Sequence, residues 1–102
     1  MKAIRISRLS ILALLLVPAW VGASDVFKGK EVYARECMAC HGAAGEGNMP
    51  GLPNFKESQV LFKTDNELTE IIRDGRGIMP SFGGLLTDDD IRDVTAYLRS
   101  FL

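Results

Sequence analysis

Both cysteines of this chain and its single histidine fall within five consecutive positions, Cys37, Cys40 and His41, and no other cysteine or histidine occurs in the 102 residues. Any fold the chain adopts has to be organised around that cluster. A structural zinc site wants four ligands, and the cluster offers three. A disulfide between residues three apart closes a very short loop and stabilises little. A thioredoxin-like redox pair shares the C-x-x-C spacing but expects strand–helix–strand surroundings. No stretch of this sequence shows the sustained two-residue alternation of a half-buried strand.

A histidine directly after the second cysteine gives C-x-x-C-H, the attachment signature of c-type haem. The spacing carries the chemistry. Two thiols three apart at a helix end reach adjacent pyrrole edges and add to the vinyl groups, and the next residue sets its imidazole beneath the iron. The expected cofactor is therefore one haem c, bound covalently through Cys37 and Cys40, with His41 as an iron ligand.

The N-terminus explains why such a group is also needed as structure. MKAIRISRLSILALLLVPAWVGAS has a basic start, an apolar run and the small-residue exit Val21, Gly22, Ala23, the pattern of a secretory leader cut after Ala23. Its roughly 13 apolar residues would span only about 20 Å as a helix, short of the ~30 Å of a bilayer interior, so a retained anchor is the weaker reading. Residues 1–23 are thus expected to be a signal peptide and residues 24–102 one domain, exported by the general secretory route to the periplasm. A domain of that size buries too little apolar surface to be comfortable alone. Removing Lys2, Arg5 and Arg8 leaves nine basic against thirteen acidic residues. A mildly acidic surface without a basic patch excludes nucleic acid as a natural partner.

The domain reads as all-α, with three to four helices wrapped around the haem. Ser24 or Asp25 can cap a helix running to about Ala39, in which three- and four-residue steps bring Gly29, Tyr33 and Cys37 to one face. Residues 42 to 54, GAAGEGNMPGLPN, form a loop. A helical turn is possible around Ser58 to Phe62. Thr64 with Glu67, and Thr87 with Asp90, have the form of capping boxes. They open helices over about Asp65–Asp74, ended by Gly75, and about Asp88–Phe101, with Ile91, Val94, Thr95, Leu98 and Leu102 on one face. Asp88, Asp89 and Asp90 are read as first-turn acids favoured by the helix N-terminus. Gly45-Glu46-Gly47 is not a dinucleotide loop, because no strand precedes it.

With one imidazole, the iron cannot take two histidines from this chain. A methionine thioether is the expected sixth ligand, and a Met/His pair raises the reduction potential. Met38 lies inside the attachment turn and Met1 in the leader, so Met49 and Met79 remain. Loop reach does not exclude Met49, but a whole helix and two connections separate Met79 from His41, which lets it return over the far face. Gly75 and Gly77 permit a close backbone approach there.

Taken together, these features resemble a class I monohaem c-type cytochrome of the small bacterial kind, over nearly all of residues 25–102. Gly29 and Tyr33 match the positions where that family's first helix crosses its last, at Ala96 to Leu98. Gly51-Leu52-Pro53-Asn54-Phe55 resembles the family's proline loop, which implies that the Pro53 carbonyl accepts from Nδ1 of His41. Gly77-Ile78-Met79-Pro80-Ser81-Phe82 resembles the distal ligand loop, which implies Met79. The function implied is single-electron transfer between larger redox proteins, by a monomer that does not insert stably into a membrane. No spare histidine and no nucleophile paired with a base marks the chain as an enzyme. The alternatives are a haem subunit of an oxidoreductase complex, and a haem sensor or peroxidase with an open sixth position.

Overall fold

The structure is a computed structural model that describes residues 2–3 and 23–102; the expected leader, residues 1–23, lies almost wholly outside them. Asp25 opens the first helix, its carboxylate accepting from the N–H of Phe27 at 3.0 Å and of Lys28 at 3.2 Å. Helix α1 (Val26–Val32) runs without interruption into a π-helical turn, Tyr33–Cys37, and then into α2 (Met38–His41), which Gly42 ends at φ 86°. The expected helix is present and two residues longer. Its wide turn was not expected, and nothing in Tyr-Ala-Arg-Glu-Cys signals one. A π turn holds one residue more than an α turn, so it changes the angular phase of every later residue in the helix. Here Gly29, Val32 and Tyr33 stay buried, whereas Cys37 is only partly covered.

Both capping boxes form with both reciprocal bonds. Thr64 and Glu67 open α3 (Asp65–Asp74), and Thr87 and Asp90 open α4 (Asp88–Leu98). Leu68 and Ile72 of α3 are buried and Ile71 is half-buried. The turn expected near Ser58 to Phe62 is a single 3₁₀ turn, Val60–Phe62. A second 3₁₀ turn, Arg99–Phe101, comes after α4 and corrects one expectation. Leu102 does not continue the apolar face; it is exposed, and Phe101 is buried in its stead. At three residues per turn the face arrives one position earlier than in an α-helix. Among the described residues there is no strand, only two isolated bridges.

The core is a seam between α1 and α4. Gly29 makes it possible: a Cβ there would overlap the Asp93 carbonyl and touch the Tyr97 side chain at 3.0 Å. Tyr33, Ile91, Val94 and Thr95 beside that crossing are almost fully buried. Each such apolar side chain contributes on the order of 1.5–3 kcal/mol. The Tyr33 ring lies 5.4 Å from Tyr97 and 5.3 Å from Phe101, both tilted as aromatic pairs prefer. Asp93, itself buried, accepts the backbone N–H of Asp25 at 2.7 Å and ties the start of α1 to α4. Arg99 binds the carbonyls of Leu61 and Lys63 and the Asp65 carboxylate, closing α3 onto the chain end.

Candidate haem site

Leu68, Ile71 and Ile72 of α3 and Val94 and Leu98 of α4 form one apolar surface. It faces a crevice whose opposite wall is the Cys–His turn and the loop after it. The crevice has an outer cavity of about 130 Å³ and an inner one of about 360 Å³. Cys37, His41, Leu52 and Met79 line both and so stand where the two join. Cys40 and Met49 border only the outer cavity, Pro53 only the inner one. Leu61, Leu68, Ile72, Val94 and Leu98 supply the inner cavity's apolar wall.

The Cys–His turn is held by its own loop. Its last carbonyls would be unpaired at a helix end. The N–H of Asn48 satisfies Cys40 at 2.8 Å, that of Gly47 satisfies His41 at 2.7 Å, and the Tyr33 hydroxyl donates to Gly42 at 2.6 Å. No disulfide joins Cys37 and Cys40, which leaves both sulfurs available to a haem. Burial, followed by the charges of Glu36 and Cys40, pushes the Cys37 thiol up to about 11.

His41 stacks on Phe55, ring centroids 4.9 Å apart and 25° from parallel. Burial lowers its pKa, which favours the neutral imidazole that ligates a metal. Its Nδ1 is buried without a hydrogen-bond partner. The bond expected from Pro53 is thus not made in this structure, although Pro53 borders the same cavity. A half-buried imidazole with a buried, orphaned Nδ1, beside two cysteines on the wall of an apolar cradle, fits a haem.

Met79 is stapled to the end of α3. Arg76 and Met79 exchange two backbone hydrogen bonds of 3.0 Å, with Gly77 between them at φ 59°, as a tight primed turn requires. Beyond it, Phe82 and Gly83 donate to the carbonyls of Ile72 and Arg73 at 3.0 and 2.9 Å, and Ser81 donates to Arg73 as well. Gly75 lets this segment pass, since a Cβ there would come within 2.7 Å of the Met79 carbonyl. Met79 packs against the core, whereas Met49 is exposed. The structure brings Cys37, Cys40, His41, Pro53 and Met79 to one crevice. Sequence reasoning missed Glu36 on the outer wall and Arg76 on the inner one. A cation set between two glycines, Gly75 and Gly77, three residues before Met79 was the available signal for Arg76.

Residues 24–98 match the family model described as cytochrome c oxidase, cbb3-type, subunit III. The chain is 37% identical over 79 residues to the cbb3-type cytochrome c oxidase subunit FixP of Bradyrhizobium diazoefficiens, an alignment covering 74% of this chain and only 27% of that longer protein. It is 37% identical over 85 residues to cytochrome c6 of Thermosynechococcus vestitus, covering 81% of this chain and 75% of the relative. Cytochrome c6 of the diatom Phaeodactylum tricornutum superposes with a TM-score of 0.66 at 32% identity, over 76% of this chain and 93% of that one.

Proposed function

The chain belongs to the c-type cytochrome family and carries one covalently bound haem c, and we propose that it is a periplasmic electron shuttle in which Cys37 and Cys40 hold the haem while His41 and Met79 ligate its iron. The bound haem supplies one-electron cycling between ferric and ferrous states. What the chain adds is a fixed, dry setting. The carbonyl bonds from Tyr33, Gly47 and Asn48 fix the turn that carries His41. The two backbone hydrogen bonds between Arg76 and Met79 fix the backbone that carries the Met79 sulfur. Leu61, Leu68, Ile72, Val94 and Leu98 exclude water from the faces between them. A closed site of this kind changes little when an electron enters or leaves, which is what a carrier needs.

The observation that carries the reading is that Met79, alone among the candidate methionines, sits at the junction of the two cavities together with Cys37 and His41. Among the described residues no helix is long and apolar enough to cross a membrane; the proposed carrier is a monomer that meets its redox partners in solution. A second reading, a haem subunit of an oxidase complex, draws on the cbb3-type family model and the FixP likeness; co-purification with a larger oxidase would favour it over a free carrier.

The carrier is tested on the purified holoprotein. Acid acetone should leave the haem with the polypeptide, and the ferrous protein should not take up carbon monoxide rapidly. Haem lost to the solvent would remove the thioethers from the account, and rapid carbon monoxide binding would replace the shuttle by a sensor or peroxidase.

A further inference from the structure

The walls of the crevice are apolar with two exceptions. Glu36 is the one charged side chain on the outer cavity, and Arg76 is the one on the inner cavity. Arg76 is unusual in a second respect. Arg35, Arg73, Arg92 and Arg99 all form ion pairs, with Glu36, Asp88, Asp89 and Asp65. Among the described residues the Arg76 guanidinium has neither an ion pair nor a hydrogen bond, although Glu67, Glu70 and Asp74 line the shallow depression on its other side. Arg76 is an exposed residue that borders the inner cavity, and a guanidinium that takes none of the neighbouring carboxylates is free to meet an anion there.

We infer that Arg76 is the carboxylate-binding residue of this crevice and pairs with a propionate of the haem. This rests on the reading that haem occupies the crevice, and it goes beyond that reading by assigning a residue outside the attachment motif and the iron ligands. The chemistry is direct. Two ionised carboxylates cannot sit against Leu and Ile side chains without a partner, and a guanidinium fork matches a carboxylate with two parallel bonds. The backbone adds a consequence. Arg76 and Met79 are the two ends of one turn, joined by both of their backbone hydrogen bonds. The same four residues therefore grip the cofactor at its polar edge and present the thioether to its centre. A positive charge on the propionate also offsets negative charge near the iron and so favours the ferrous state.

The test is a charge series at Arg76 in the holoprotein, read by midpoint potential and by the far-red sulfur-to-iron absorption band. Arg76→Gln should shift the one-electron equilibrium about tenfold toward the oxidised form, about 59 mV lower. Arg76→Glu should go further, and Arg76→Lys should stay close to the parent. The band should persist throughout, and the shift should survive high salt, because a close pair is screened far less than an exposed charge. Lys63→Gln, which removes a charge from the outer depression only, should move the potential much less. The inference is overturned by an Arg76→Gln shift no larger than that of Lys63→Gln or abolished by salt. It is equally overturned by loss of the band in step with the potential, which would make Arg76 a prop for the turn. An unchanged potential with slower reaction toward an acidic partner would assign Arg76 to docking instead. In each of these results the haem stays attached, so a haem-free parent protein, which would sink the proposed function, is a distinguishable failure.

Discussion

The seam between α1 and α4 and the crevice beside it are built from the same helices, yet only the seam is finished by the polypeptide. At the seam, glycine lets backbone touch backbone, Tyr33, Ile91 and Val94 fill the contact, and Asp93 satisfies the N–H of Asp25. Across the crevice, comparable apolar side chains line open cavities, and the imidazole nitrogen of His41 has nothing to bond to. One region is a protein core, and in the proposed reading the other is half of a core that the haem completes.

Breaking the unfinished side should have the larger effect. In Cys37→Ala, Cys40→Ala, expressed without haem, the crevice walls have nothing to close on. The chain should retain local helix but show no cooperative thermal transition by circular dichroism. A sharp transition in that variant would mean that the seam alone suffices to fold the domain.

Damage to the seam in the haem-bound protein should be large but survivable. Gly29→Val forces a side chain into the Asp93 carbonyl and the Tyr97 side chain, and over-packing of this kind typically costs about 1–3 kcal/mol, more where backbone must shift. Denaturant unfolding should place it at or above the upper end while the haem spectrum stays native. A loss under about 1 kcal/mol would show that the helices can slide apart freely.

The smallest effect sharpens the boundary between the regions. Tyr33 belongs to the seam by its ring and to the crevice wall by its hydroxyl, which caps Gly42 just after His41. Tyr33→Phe should cost about 1 kcal/mol, the net worth of one hydrogen bond. Burial is the first cause that pushes the Tyr33 hydroxyl from its ordinary 10.0 up to about 12. The folded state therefore holds that proton more tightly than the unfolded chain. Its contribution is complete below pH 10 and is lost as pH rises toward 12. Alkaline unfolding curves should show a loss in the parent that is reduced in Tyr33→Phe, and identical slopes would remove the hydroxyl from the stability of the folded state.

The two regions also differ in how far the sequence announced them. Thr64 with Glu67 and Thr87 with Asp90 name helix starts by local chemistry, so α3 and α4 begin where they were expected. Gly29 and Tyr33 mark the seam by spacing. In the crevice, Cys37, Cys40 and His41 stood out because their order is itself the chemistry, and the structure sets all three along one cavity. Met79 needed the whole path of the chain, because two methionines precede prolines and only the bonds from Phe82, Gly83 and Ser81 to the end of α3 decide which one faces inward. The π turn and Arg76 were not legible. The first is a change of phase that Tyr-Ala-Arg-Glu-Cys does not encode by any local rule, and the second acquires meaning only when its neighbours are seen to leave it unpaired.

The central claim is that this crevice closes on a haem between His41 and Met79. The most direct measurement is the ferric absorption spectrum of three proteins: the parent, Met79→Ala and Met49→Ala. The account predicts a weak far-red sulfur-to-iron band in the parent and in Met49→Ala, and its loss in Met79→Ala. A band that survives in Met79→Ala and disappears in Met49→Ala would contradict it, and so would a parent protein with no band at all.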